Sequence, residues 1–171
     1  MKNLLSLFAV LSGVMLASAH AADDIKKLPV DDQFLVKAIS SAIAETKLAD
    51  TVIDRSENPD VKQFAQTLKD DHTHCLNQLM AQAHKDKLSV VEGLDKDQKE
   101  TAKQLGKLEG DAFDQAYLRG VIQRHEEGIS CLEAQIKDGT SVNITAICNE
   151  SLPKVKKHLA AARKLQESKQ N

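Results

Sequence analysis

Residues 59–85 read PDVKQFAQTLKDDHTHCLNQLMAQAHK. Within them Val61, Phe64, Ala65, Leu68, His72, Cys75, Leu79 and Ala83 recur at spacings of three and four, which is the period of one face of an α-helix. The turn Glu57-Asn58-Pro59-Asp60 precedes this face, and Pro59 suits the first helical position, where its missing N–H costs nothing. The spacing predicts a helix over 59–85. One residue on its apolar stripe is chemically out of character. His72 sits where a hydrocarbon side chain belongs, and an imidazole is costly to bury unless it is paired or bound.

The same period extends in both directions. Upstream, Asp31 to Ser56 reads as a helix, with Asp31 or Asp32 as its cap and a stripe of Phe34, Ala38, Ala42, Glu45, Ala49, Val52 and Ser56. Downstream, Asp86 to Glu109 reads as a long connector holding a short helix, Lys96 to Leu108, punctuated by Gly93 and Gly110. A third long helix spans Asp111 to Lys137 with Leu118, Val121, Ile122, His125, Ile129, Leu132 and Ile136 on its stripe. Asp138-Gly139-Thr140-Ser141 is a turn, with Gly139 as the helix stop. A fourth helix, Val142 to Gln166, places Ile144, Ile147, Cys148, Val155, His158, Leu159, Ala162 and Leu165 on its stripe, and Pro153 should kink or restart it. The polar tail after Leu165 is expected to fray. No strand pattern of comparable length competes. Two helical hairpins joined by a long connector predict an all-α protein, an antiparallel four-helix bundle.

The amino terminus has a different character. Lys2 precedes the apolar run Leu4 to Leu16, about 13 residues and too short to span a bilayer, and Ala17-Ser18-Ala19 and Ala19-His20-Ala21 are small-x-small sites. Residues 1–21 therefore read as a cleavable signal peptide, cut after Ala21. Residues 22–171 read as a single domain, soluble in the periplasm or secreted, with no transmembrane segment. The whole chain has 23 Lys and Arg against 25 Asp and Glu, a net charge of −2, and loss of Lys2 with the leader makes it about −3. No basic stripe appears, so a nucleic-acid partner is not expected.

Hairpin geometry brings the unusual stripe residues to one level. Glu45 and His72 are equally distant from the turn between Asn58 and Pro59. His125 and His158 lie within about one helical turn of a shared level in the second hairpin, about 5 Å. Both pairs fall near mid-helix, so all four converge whichever way the connector runs. A carboxylate and three imidazoles facing a bundle interior are suited to iron, manganese, zinc or copper. Asp71 and Glu126 flank two of the histidines and are candidate supporting groups, as is Tyr117, two turns before His125. The competing reading is a buried polar layer in which Glu45 hydrogen-bonds the histidines. His74 and His84 fall off the stripe and should be solvated. Met80 is the one methionine beyond the leader, which argues against a methionine-rich copper(I) carrier. No Cys-x-x-Cys-His is present for covalent haem, leaving a b-type haem on His158 as a weaker alternative, and no hydrolase motif stands out.

Export permits disulfides. Cys131 and Cys148 are equidistant from the second turn and are the expected pair, leaving Cys75 as a buried thiol; a bridge from Cys75 to either is the rival connectivity.

Together these residues resemble a known family. They are Glu45 with Lys47-Leu48-Ala49, then Val61-Lys62-Gln63-Phe64-Ala65-Gln66, Asp70-Asp71-His72 and Leu105 to Gly110. Phe113-Asp114 with Tyr117, His125, and Leu152-Pro153 with His158-Leu159 complete the set. The chain is similar to the secreted bacterial proteins grouped as domain of unknown function 4142, over nearly all of residues 22–171. The resemblance implies a ferritin-like fold, and the family's recurring acid and histidines match Glu45, Asp71, His72, His125 and His158. Ferritin-like di-iron enzymes carry Glu-x-x-His pairs, whereas Lys69 and Val155 stand three before His72 and His158 here. That departure favours a mononuclear or vestigial site. The functional expectation is an exported bundle that binds a transition metal for envelope stress or metal handling. The alternative is a non-catalytic helical module for envelope protein partners, and no feature demands an enzyme.

Overall fold

The computed structural model describes residues 22–168. The leader expected over residues 1–21 lies outside them. All regular structure among the described residues is helical: α1 (Ala22–Ile25), α2 (Val30–Arg55), α3 (Pro59–Lys85), α4 (Lys96–Leu105), α5 (Gly110–Asp138) and α6 (Val142–Ser168). The protein is all-α, a helical bundle. None of these helices is long and apolar enough to cross a membrane.

Local chemistry sets the helix ends. The Asn58 side chain accepts from the backbone N–H groups of Asp60 and Val61 at 2.9 and 3.1 Å, while Pro59 occupies the first turn. Asp95 and Gln98 form a reciprocal capping box on α4. Asp31, expected to cap the first helix, does something else. Pro29 holds the cap position, and the Asp31 carboxylate reaches the α5–α6 turn. There it accepts from Gln135 Nε2, from the N–H and hydroxyl of Thr140, and from the N–H of Ser141. Gly139 also acts for a reason other than the expected one. Its φ of −71° is open to any residue, but a Cβ there would lie 2.5 Å from the Gln135 carbonyl oxygen. Pro153 does not restart its helix: α6 runs through it unbroken. Pro153 and Asn149, whose carbonyl loses its helical donor, are both exposed, so water can serve that carbonyl.

Packing then joins the elements. α2 packs chiefly on α3 and α5 on α6, with α3 against α6 and α2 against α5 closing the bundle. Gln98 on α4 donates to Ser40 Oγ on α2 at 2.9 Å. At the other end of α2, Arg55 donates to the carbonyls of Gly106 and Leu108 and lies 4.6 Å over the Phe113 ring. α4 therefore runs alongside α2 and delivers the chain to the start of α5.

The apolar core forms two clusters. One gathers Leu48, Val52, Val61, Phe64, Leu68, Phe113, Leu118 and Val121. The other gathers Phe34, Leu35, Ile39, Ile43, Leu79, Ile144 and Cys148. On α2 the buried face is broader than the expected stripe. Leu35, Ile39, Ile43 and Leu48 are buried as well, because this helix packs on both α3 and α5, and Leu88, Val90 and Leu94 of the connector lie against the second cluster. Along α2, Glu45 falls between the residues of the two clusters, and the break in the core there is polar.

Candidate metal centre

Three imidazoles fill that break: His72 from α3, His125 from α5 and His158 from α6. Their ring centroids form a near-equilateral triangle with sides of 5.5, 5.7 and 5.5 Å. One ring nitrogen from each lies within 4.8 Å of the other two. A zinc-type ion takes nitrogen ligands at about 2.0–2.1 Å, which sets tetrahedral N···N distances near 3.3 Å. The triangle therefore needs to contract by no more than about 1.5 Å, within reach of rotamer adjustment.

Hydrogen bonds orient two of the rings. A carbonyl can only accept, so His125 Nδ1, 3.0 Å from the Val121 oxygen, carries the proton and leaves the Nε2 lone pair free. His158 Nε2 donates to Asp71 Oδ2 at 2.9 Å, which frees Nδ1. His125 Nε2, His158 Nδ1 and His72 Nε2 are all sealed from solvent without a hydrogen-bond partner. Unpaired buried nitrogens are costly, and three that share one space call for a common ligand. Burial pushes His125 down to about 4 and also lowers His72, with the nearby Glu45 charge opposing the shift in both cases. Neutral rings with free lone pairs are the form that binds metal.

Glu45 lies 2% exposed at this level but is engaged elsewhere. Its carboxylate pairs with Arg124, Nε to Oε1 at 2.5 Å and Nη2 to Oε2 at 3.4 Å. Burial would raise the Glu45 carboxyl, but the Arg124 guanidinium, by charge and hydrogen bond, outweighs it and holds the group below its ordinary range. It is absent from the set of converging ligand atoms. Arg124 was missed in the sequence because it sits beside the stripe of its helix. Its charged head folds inward over Gly120, where a Cβ would come within 2.7 Å of Nη1. The available signal was that a buried carboxylate needs a cation, and Arg124 directly precedes His125.

The other candidates divide. Asp71 supports His158 and sits 3.7 Å from Lys154. Glu126 is exposed and pairs with Arg163, so it does not join the cluster. Tyr117 is buried in the first apolar cluster with its hydroxyl unpaired, and burial pushes that hydroxyl up. His74 is exposed, 3.1 Å from Glu150, and His84 is exposed. The expected Cys131–Cys148 bridge is absent: Cys75, Cys131 and Cys148 are all free thiols. Equal height in a hairpin does not supply equal direction. Cys148 faces the core and Cys131 faces solvent, and a bridge needs Cβ vectors that point together. Cys75 instead lies 3.4 Å from Ser151 Oγ, and burial raises its thiol.

A cavity of about 1110 Å³ reaches the cluster. Its wall includes the three histidines, Glu45 and Arg124, together with apolar side chains from α2 and the connector.

Comparison with known proteins adds the fold's relatives. No curated protein matches the chain. A DUF305 fragment from Deinococcus radiodurans is similar in structure with a TM-score of 0.70 at 12% identity, covering 82% of this chain and 97% of its own. A DUF305 protein of Streptomyces coelicolor, described as a candidate secreted protein, has a TM-score of 0.68 at 15% identity, covering 79% and 91%. At such identities the likeness concerns the fold alone. The family model for the domain of unknown function DUF4142 matches residues 15–165, and the chain belongs to that family.

Proposed function

We propose that this protein is an exported, ferritin-like four-helix bundle, with one domain over residues 22–171, that binds a single transition-metal ion through His72, His125 and His158. The observation that supports metal binding most directly is the convergence of three sealed, unpartnered imidazole nitrogens, two of them oriented by partners behind them. The parallel course of α4 beside α2 supports the ferritin-like connectivity, since it returns the chain to the end of the bundle where α3 began. The apolar run after Lys2 supports export, as does the description of the Streptomyces relative.

An all-imidazole set, with Glu45 held by Arg124 and Asp71 shared between His158 and Lys154, suits zinc or copper better than manganese, which prefers oxygen ligands. The reading favours metal handling in the envelope over di-iron chemistry. The test is elemental analysis of protein exported to a periplasm and purified without chelator or histidine tag, beside a His125→Ala/His158→Ala control. Near-stoichiometric metal in the wild type and none in the control supports the reading. A wild type that stays empty after incubation with zinc, copper, iron and manganese refutes it.

One observation favours a second reading, a metal-free helical interaction module. The Glu45–Arg124 pair is complete by itself and can hold helix register as a buried polar layer. Under that reading added metal leaves thermal stability unchanged.

A further inference from the structure

Three protein ligands leave one position of a tetrahedral ion to be filled. Two sources compete for it by location. Glu45 lines the same cavity as the three histidines, and its charge acts on both His72 and His125. A loose carboxylate there would close the coordination sphere. The other source is the cavity itself.

Arg124 decides between them. Its Nε and Nη2 engage both Glu45 oxygens, a fork that a single-point cation could not match. Gly120 leaves the space in which the guanidinium folds back along its own helix. We propose that Arg124 is a positioning residue that latches Glu45 away from the metal, so that the fourth coordination position stays open to a small anion entering from the cavity. This rests on the metal-binding reading above.

Charge points the same way. Three neutral imidazoles add nothing to offset a divalent ion. Glu45 is neutralised by Arg124, and Asp71 is shared with Lys154. The loaded centre is thus electropositive within a partly closed cavity, a setting that favours an anionic ligand. Binding is simple ligand exchange: water leaves the metal as the anion enters, and no electron moves.

The test loads the purified full-length mature protein with copper(II), confirms stoichiometry by elemental analysis, and titrates azide while recording the azide-to-copper charge-transfer absorption. The wild type should develop a saturable band. Arg124→Met frees Glu45 to ligate. It should bind copper roughly ten- to a hundredfold more tightly, the range over which outer partners tune metal sites, and lose the band. Glu45→Gln/Arg124→Met should recover the band, which a merely structural role for Arg124 would not predict. Glu45→Gln alone, nearly isosteric and still able to accept from Arg124, covers the case in which Arg124→Met fails to fold, and should keep both copper and the band. A copper-loaded wild type without an azide band, an unchanged azide response in Arg124→Met, or loss of copper from Glu45→Gln overturns the latch. Copper(II) heads the affinity order of divalent ions at nitrogen sites, so a wild type that takes up neither copper nor zinc, iron or manganese overturns the underlying metal reading instead, and the two failures are distinct.

Discussion

Replacing Asp71 by asparagine removes a charge and almost no volume. The asparagine oxygen can still accept the hydrogen that His158 Nε2 now donates to Asp71 Oδ2 at 2.9 Å, so the variant isolates what the carboxylate's charge does for the ring. Partners behind metal-ligating histidines are worth roughly ten- to a hundredfold in affinity. The lower end applies here, because the Asp71 side chain is 33% exposed and Lys154 Nζ, at 3.7 Å from Oδ1, already draws on its charge. The expected loss is about tenfold in zinc Kd, or about 1.4 kcal/mol. At zinc equal to about 100 times the wild-type Kd, binding stabilises the folded wild type by about 2.7 kcal/mol. The same zinc is only about 10 times the variant's Kd and stabilises it by about 1.4 kcal/mol. For a chain of this size the zinc-dependent gain in Tm should shrink by about 3–5 °C. Differential scanning calorimetry with zinc and with chelator, plus competition against a chromophoric chelator, reads both quantities. Unchanged zinc affinity and an unchanged Tm gain in Asp71→Asn would refute the role assigned to the His158–Asp71 hydrogen bond.

Other consequences of the geometry are equally open to measurement. With chelator present, stability should fall as pH drops from 6.5 toward 4: unfolded His125 takes up its proton near 6.5 while the folded ring stays neutral to about 4, so the unfolded state binds more protons throughout that window. The loss from this group is about 3 kcal/mol, His72 adds to it in the same direction, and urea midpoints that do not move between pH 7 and pH 4.5 would contradict it. A thiol reagent should modify Cys131 first in the native protein, with Cys75 slower and Cys148, buried and pushed up to about 12, reacting only on unfolding; fast labelling of Cys148 would show that the core around it opens. Asp31→Ala strips the α5–α6 turn of its acceptor and should cost roughly 2 kcal/mol in chemical denaturation, whereas a loss below about 0.5 kcal/mol would mean the turn holds itself.

The reach of the sequence is clearest at the histidines. Their placement on apolar stripes, and their similar distances from the turns, depend only on helix pitch and chain connectivity, which are local. The all-α class follows in the same way from period and punctuation, as does the start of α3 at Asn58-Pro59. What period cannot supply is direction around the helix axis. Cys131 and Cys148 share a level yet face different media, and Glu45 shares a level with His72 yet turns its carboxylate to Arg124. Arg124 itself escaped notice because a long side chain reaches about as far as a helix radius, so its head can lie inside while its Cα stays off the stripe.

By itself, then, the chain's order of residues determined which long segments coil, where the two tight turns fall and which polar groups are carried to mid-bundle. Those outcomes are governed by backbone hydrogen bonding and by the spacing of apolar side chains along single helices. Only the tertiary structure decided how the polar groups pair: three imidazoles on one another, Glu45 on Arg124, Asp71 on His158 and Asp31 on the far turn. Such pairings join residues distant in sequence, through side-chain contacts set by helix rotation and by the room that a residue like Gly120 leaves. The energies that choose among them arise when the helices pack.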